Sequence, residues 1–399
     1  MNQKQLGILL VLVVLVGGAG LLTWKKQQEA QSSGNSGLGK KLFPNFPVND
    51  VARINLRQGT DAVSLVKKDD VWRVAERQDY PANFSGISDF LLKLRDLKAG
   101  QVEQAGPSQM PRLHLAANGE GTNAPLVVEL KGANDKIIDT LFLGKMHLSS
   151  RGAPSPMGEA DSGWPDGRYV KVGADATDVA VISTTFEDVE PKPAHWLSKD
   201  FFKAEKPRSI EVTFPAATNS WKLTRETESG EWKLAGAKTD EQLDASKAAG
   251  VSNPLGSPTF VDVLPGTAGD ESGTNQPAIV RIETFDNFAY TLKAGPGTND
   301  EMFLKVAVTA QIPKERTPGK DEKPEDKTRL DREFKDRQQK LEEKLKQEQA
   351  LEKRTYLVSN WTLDPLLKER SQLLVEKKDE PKKDDAATNA VNHAKTPMP

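Results

Sequence analysis

The sequence predicts an α+β protein: an N-terminal transmembrane helix followed by two tandem, duplicated modules of mainly antiparallel sheet with helices, the second module carrying a long charged helix. Three observations predict it. Residues 6–23 carry no charge, short alternating runs recur in the same order in both halves, and residues 313–354 interrupt the second series with a charged insertion. Composition narrows the function. With 55 Lys+Arg against 57 Asp+Glu and a net charge of −2, the chain lacks the basic excess that gripping nucleic acid requires. The absence of cysteine removes disulfides, thiolate metal sites and thiol nucleophiles.

Residues 6–23, from Leu6 to Thr23, read LGILLVLVVLVGGAGLLT. As a helix the run would span ~27 Å, close to the ~30 Å hydrocarbon core. Trp24, Lys25 and Lys26 follow as headgroup-layer residues. Residues 6–24 therefore read as a signal anchor in contact with membrane lipid, behind a short tail at 1–5. The alternative is a signal peptide cut after Ala19, which would leave GLLTW at the new terminus. Lys4 against Lys25 and Lys26 makes the flanking charge nearly even, so it does not set the orientation.

Residues 25–41 are Gln/Ser/Gly-rich and read as a flexible linker. The first module, 42–203, opens with alternating runs at 51–57, 62–68 and 71–75, separated by Gly59-Thr60-Asp61 and Asp69-Asp70. Residues 83–98 place Ile87, Phe90, Leu91, Leu94 and Leu97 at helical spacing. Strands are expected at 126–131 and 137–143, then a Gly/Ser/Pro loop at 149–167, then strands at 168–172 and 179–183. The second module, 204–375, repeats this order: SIEVTF answers RINLR, GEWKLAG answers DVWRVAE, and AIVRIETF answers LVVELKG. Ile54 thereby matches Ile210, Leu65 matches Leu223 and Trp72 matches Trp232, with 127–130 laid over 280–283. The second helical stretch, 239–249, is short and is interrupted by Gly250 and Pro254.

From Pro324 onward the insertion is free of Gly and Pro. Asp331/Lys335, Glu333/Arg337, Asp336/Lys340 and Glu342/Lys346 are acid-before-base pairs in the favourable order. Leu330, Phe334, Leu341, Leu345 and Leu351 form a thin apolar stripe. A solvated or lightly docked helix and a partner-binding coiled coil both fit. The first of these makes the insertion dispensable for folding. Residues 376–399 read as a disordered tail.

The segment from VARINLRQGTDAVSLVKKDDVWRVAERQDYPANFSGISDFLLKLRDLKA through GRYVKV to HWLSKDFF and SIEVTF resembles the bacterial family called domain of unknown function 4340. The resemblance covers roughly residues 40–205 and weakens over the second copy. It implies an N-terminal anchor with the remainder outside the cytoplasmic membrane, hence a periplasmic address. It also implies, for some relatives, association with ABC-type transport systems. The charged insertion departs from the family pattern, and no catalytic residue is carried over.

The remaining motifs are weak. Gly34–Lys41 fits G-x-x-x-x-G-K, yet Lys41 replaces Ser/Thr and Pro44 and Pro47 oppose a helix start, so a linker accounts for it. His114, His147, His195 and His393 lack metal-ligand spacing, and His195 beside Trp196 reads as packing. Trp72, Trp221, Trp232 and Trp361 read as sheet core, with an aromatic ligand groove as the alternative. No catalytic, cofactor or metal residue is assigned. The expected function is a non-enzymatic, membrane-anchored envelope protein that presents two modules to a protein partner such as an ABC-type transport complex. The alternatives are an extracytoplasmic hydrolase with a carboxylate site between the modules, and a structural scaffold.

Overall fold

Period-two burial organises the chain. In β1 (Arg53–Gln58), Ile54 and Leu56 are buried while Arg53, Asn55 and Arg57 face the other way. The same alternation runs through β2 (Asp61–Lys68), β3 (Val71–Val74), β6 (Leu126–Lys131) and their neighbours. The computed structural model describes residues 39–117, 119, 121–148, 164–264, 277–297, 300–319 and 322–376.

The first sheet also contains β4 (Tyr80–Pro81), β5 (Gln101–Gln104), β7 (Ile137–Leu148), β8 (Pro165–Val172) and β9 (Asp178–Ile182). Its order is β4-β3-β2-β1-β6-β7-β8-β9-β5, with every pairing antiparallel. The β2–β3 turn is made by Asp69 and Asp70 at φ 49° and 60°, the left-handed pair that a tight hairpin demands. Helix α1 (Phe84–Arg95) starts at Asn83, whose side chain accepts the Gly86 N–H at 3.1 Å, and buries Ile87, Phe90, Leu91 and Leu94.

The second sheet comprises β10 (Pro207–Thr213), β11 (Trp221–Thr224), β12 (Lys233–Leu234), β13 (Asp262–Val263), β14 (Ala278–Thr284), β15 (Phe288–Pro296), β16 (Glu301–Ala310) and β17 (Tyr356–Ser359). Its order, β12-β11-β10-β14-β15-β16-β17-β13, follows the first sheet strand for strand, apart from β4. Ile54 pairs with Leu65 and Leu130; Ile210 pairs with Leu223 and Ile282. The ladders also correct one register. Leu56 faces Val128 and Val212 faces Val280, so 127–130 corresponds to 279–282, one residue from the expected overlay.

The expected fold class is corrected. The described residues form mostly antiparallel sheet, seventeen strands in two sheets, with few helices. The α-helices among the described residues are α1, α2 (Ala245–Ser252), α3 (Pro324–Gln349) and the single turn α4 (Asn360–Leu363). Pro254 lies within the 3-10 turn that follows α2, so the second copy keeps a shorter helix than α1. The membrane expectation is corrected as well. No helix of the described residues is long and apolar enough to cross a membrane. The longest, α3, is studded with charge. Transmembrane helix, signal anchor, lipid contact and a single-pass inner-membrane or periplasmic address are therefore unsupported. Residues 6–23 lie outside the described residues, as do most of the linker and all of the tail after Glu376.

The insertion is docked more firmly than a solvated helix. Pro324 at its first position and Glu325 and Asp326 in its first turn suit a helix start. Its final turns are anchored: Glu348 is buried, Leu351 joins the core, and Leu341 and Leu345 pack on it. None of the four expected acid-before-base pairs forms. Arg329 pairs instead with Asp326 and Glu333, Arg337 with Asp286, and Lys344 with Glu205.

Candidate functional site

The buried charges show what this interior is built to do. Arg168, Lys171 and Glu348 are the buried charged side chains among the described residues. Arg168 donates to the carbonyls of Gly144 (2.9 Å), Thr185 (3.0 Å) and Phe186 (3.3 Å), and burial pulls its pKa down to about 10. Lys171 donates to the Ala174 carbonyl at 2.8 Å and lies 4.5 Å from the centre of the Phe142 ring. Glu348 accepts the Lys203 N–H at 2.9 Å and the Tyr290 hydroxyl at 2.8 Å. Burial raises the Glu348 carboxyl above the ordinary range, and those two donors pull the other way. Each group is committed to holding backbone or helix in place.

The two halves meet along a seam of polar and aromatic contacts. Arg77 forks onto Asp262 at 2.8 and 2.7 Å. Tyr80 meets Phe260 and Tyr356 edge-on at 5.8 and 6.3 Å, and the Arg354 guanidinium lies 4.9 Å from the centre of its ring. Burial pushes the Tyr80 hydroxyl up to about 12. Phe201 packs on both Phe260 and Tyr356, so the hydrophobic core runs unbroken from one sheet to the other. Arg370 forks onto Glu241, and with the Lys238 N–H it holds that carboxyl at about 2.

The residues singled out from sequence are scattered. Trp72 and Trp221 are core, Trp232 is half-buried under Arg225, and Trp361 is 68% exposed, contrary to the expectation of core packing. His195 meets Trp196 edge-on. His147 Nδ1 lies 2.6 Å from Asp166, with no third ligand or nucleophile brought to it among the described residues. Of the Gly34–Lys41 segment, only 39–41 is described; Gly39 donates to Ala99 and Lys41 bridges Lys98, with no helix starting there. The 149–163 part of the long loop lies outside the described residues.

Sequence reasoning missed a concavity on the first sheet. It is an open cleft of about 890 Å³ at one end of the first sheet. Its walls are the segment before β1 (Pro47, Asp50), the β2–β3 turn (Asp69, Asp70) and the β6–β7 hairpin (Ile137, Ile138). Ile137 is 53% exposed, and Asp50 and Asp69 make no ion pair among the described residues. Turns from three places in the chain build this site, so no local motif could announce it.

No protein-family model matches this chain, and searches of the curated proteins and of the solved structures return no match either.

Proposed function

We propose that the protein is a non-enzymatic binding component that presents a rigid two-sheet body to a protein partner. The observation that carries this reading is the commitment of the buried Arg168, Lys171 and Glu348 to backbone and helix anchoring, rather than to one another around an accessible site. A perturbed carboxyl in a hydrolase would have to face substrate. Here the raised carboxyl of Glu348 is covered by Tyr290 and the Lys203 backbone. The open cleft, with an exposed isoleucine and carboxylates on its rim, suits recognition of a protein surface. The resemblance to the uncharacterised bacterial family adds an ABC-type transport assembly as the partner class.

The test combines the purified full chain with the ABC-type permease and ATPase subunits of its own cell, and separately screens it against hydrolase substrates. Co-elution at fixed stoichiometry without turnover is the expected result. Turnover abolished by a single carboxylate substitution would replace this reading with the hydrolase one.

A further inference from the structure

The correspondence of the two sheets shows that the cleft occupies a place which the second half fills. Lys67 N–H donates to the Ala52 carbonyl at 2.8 Å, and Arg225 N–H donates to the Arg208 carbonyl at 3.0 Å, so Ala52 and Arg208 correspond. The segment before β1 therefore matches the segment around Lys203 and Glu205. On the neighbouring hairpins Leu130 faces Asp139 and Ile282 faces Tyr290, so Asp139 stands where Tyr290 stands.

In the second half these positions grip α3. The Tyr290 hydroxyl donates to Glu348 at 2.8 Å, and Lys344 donates to the Lys203 carbonyl at 2.8 Å. The Lys344 ammonium sits 5.2 Å from the centre of the Phe288 ring, and Arg337 pairs with Asp286 at the hairpin tip. In the first half the connection from β8 to β9 is a short turn, and the corresponding space is the open cleft. Ile137 stands exposed on its wall. Next to it, Asp139 accepts the neighbouring Thr140 N–H at 2.9 Å, and burial raises its carboxyl.

We propose that this cleft is a docking groove for an amphipathic, basic-flanked α-helix of a protein partner, held as the second half holds its own α3. The proposal rests on the binding reading above. The chemistry follows from the lining. Leucine-type residues at i, i+3 and i+4 would cover Ile137 and Ile138, as Leu341 and Leu345 cover the second core. Lysine or arginine on the flank would meet Asp50 and Asp69, because Lys67 on the lining is already paired with Asp70 and Lys136 is the one other cation there, so the wall keeps a net negative charge.

The experiment uses the full chain and two fluorescein-labelled helical peptides of about 18 residues, long enough to hold a helix when side-chain stapled. One carries a leucine stripe flanked by lysine, and the other has glutamate in place of lysine. Anisotropy should show a Kd on the order of micromolar for the basic peptide, weakened by salt, with the acidic peptide at least about tenfold weaker. Ile137→Asp, and separately the pair Asp50→Asn and Asp69→Asn, should each raise the Kd about tenfold or more. Because Ile137, Asp50 and Asp69 lie at the surface, an unchanged thermal transition verifies folding. Equal Kd values for both peptides or for all variants would overturn the proposal. Two results would assign the groove to another occupant and overturn it equally: binding that appears only after residues 1–38 are removed, and a dimer that Ile137→Asp converts to monomer. Co-elution of transport subunits with an Ile137→Asp chain that no longer binds peptide would leave the binding reading standing. Failure of every partner to co-elute would remove that reading itself.

Discussion

Trp72 is 5% exposed and stands beside Val74 on the inner face of the first sheet. Trp72→Ala should cost about 3–5 kcal/mol, read from the denaturant midpoint, because a large ring leaves a cavity its neighbours cannot close. A loss under about 1 kcal/mol would mean the site collapses freely. Glu348 makes a different prediction. Its folded pKa lies above the ordinary 4.5, so its contribution is fully present below that value and is lost as pH rises through the raised one. The groups facing it are Lys344 on its own helix, the backbone of Lys203 with Glu205 on the segment before β10, and Tyr290 on β15. Glu348→Gln keeps an acceptor for the Lys203 N–H and can donate its amide N–H to the Tyr290 hydroxyl oxygen, whose own proton can go to the Lys203 carbonyl, but it cannot ionise. The stability difference between Gln and Glu chains should therefore grow in favour of Gln between pH 4 and pH 8. A flat difference would show that Glu348 is neutralised by its neighbours.

At the scale of elements, α3 behaves as two parts. Its first turns carry exposed pairs such as Arg329 with Asp326 and Glu333, which solvent and salt screen to little net stabilisation. Its last turn supplies Glu348, and the turn after it supplies the buried Leu351 and Glu352, which accepts the Val308 N–H at 2.9 Å on β16. Deleting residues 324–336 should lower stability only slightly. Extending the deletion to 353 should cost several kcal/mol, since one buried leucine alone is worth ~2–5 kcal/mol. Circular dichroism melts of the two deletions check this, and equal melts would return the helix to the solvated reading. The docking was not legible in sequence for a physical reason. Glu348 looks like any acid of a charged helix until Tyr290, 58 residues earlier, and Lys203, 145 residues earlier, are folded against it. The strands were legible because alternation is local, and Ile54, Leu65 and Trp72 announced their faces directly. Trp361 misled because an aromatic beside a strand reads as core, whereas it sits outward on the single turn α4.

The molecule as a whole depends on the seam. Arg77 and Asp262 are 16% and 19% exposed, between a surface pair and a buried one. Asp262→Ala should accordingly cost about 1–3 kcal/mol. The cleft belongs to this scale too, since its walls come from the segment before β1, the β2–β3 turn and the β6–β7 hairpin, and only the assembled sheet brings them together. Tyr80, Phe201, Phe260 and Tyr356 join both sheets in one continuous core. Differential scanning calorimetry of the full chain tests this most directly. The account predicts a single endotherm whose calorimetric and van't Hoff enthalpies agree, and which Asp262→Ala shifts down without splitting. Two separate endotherms in the unaltered chain, one for each sheet, would contradict it.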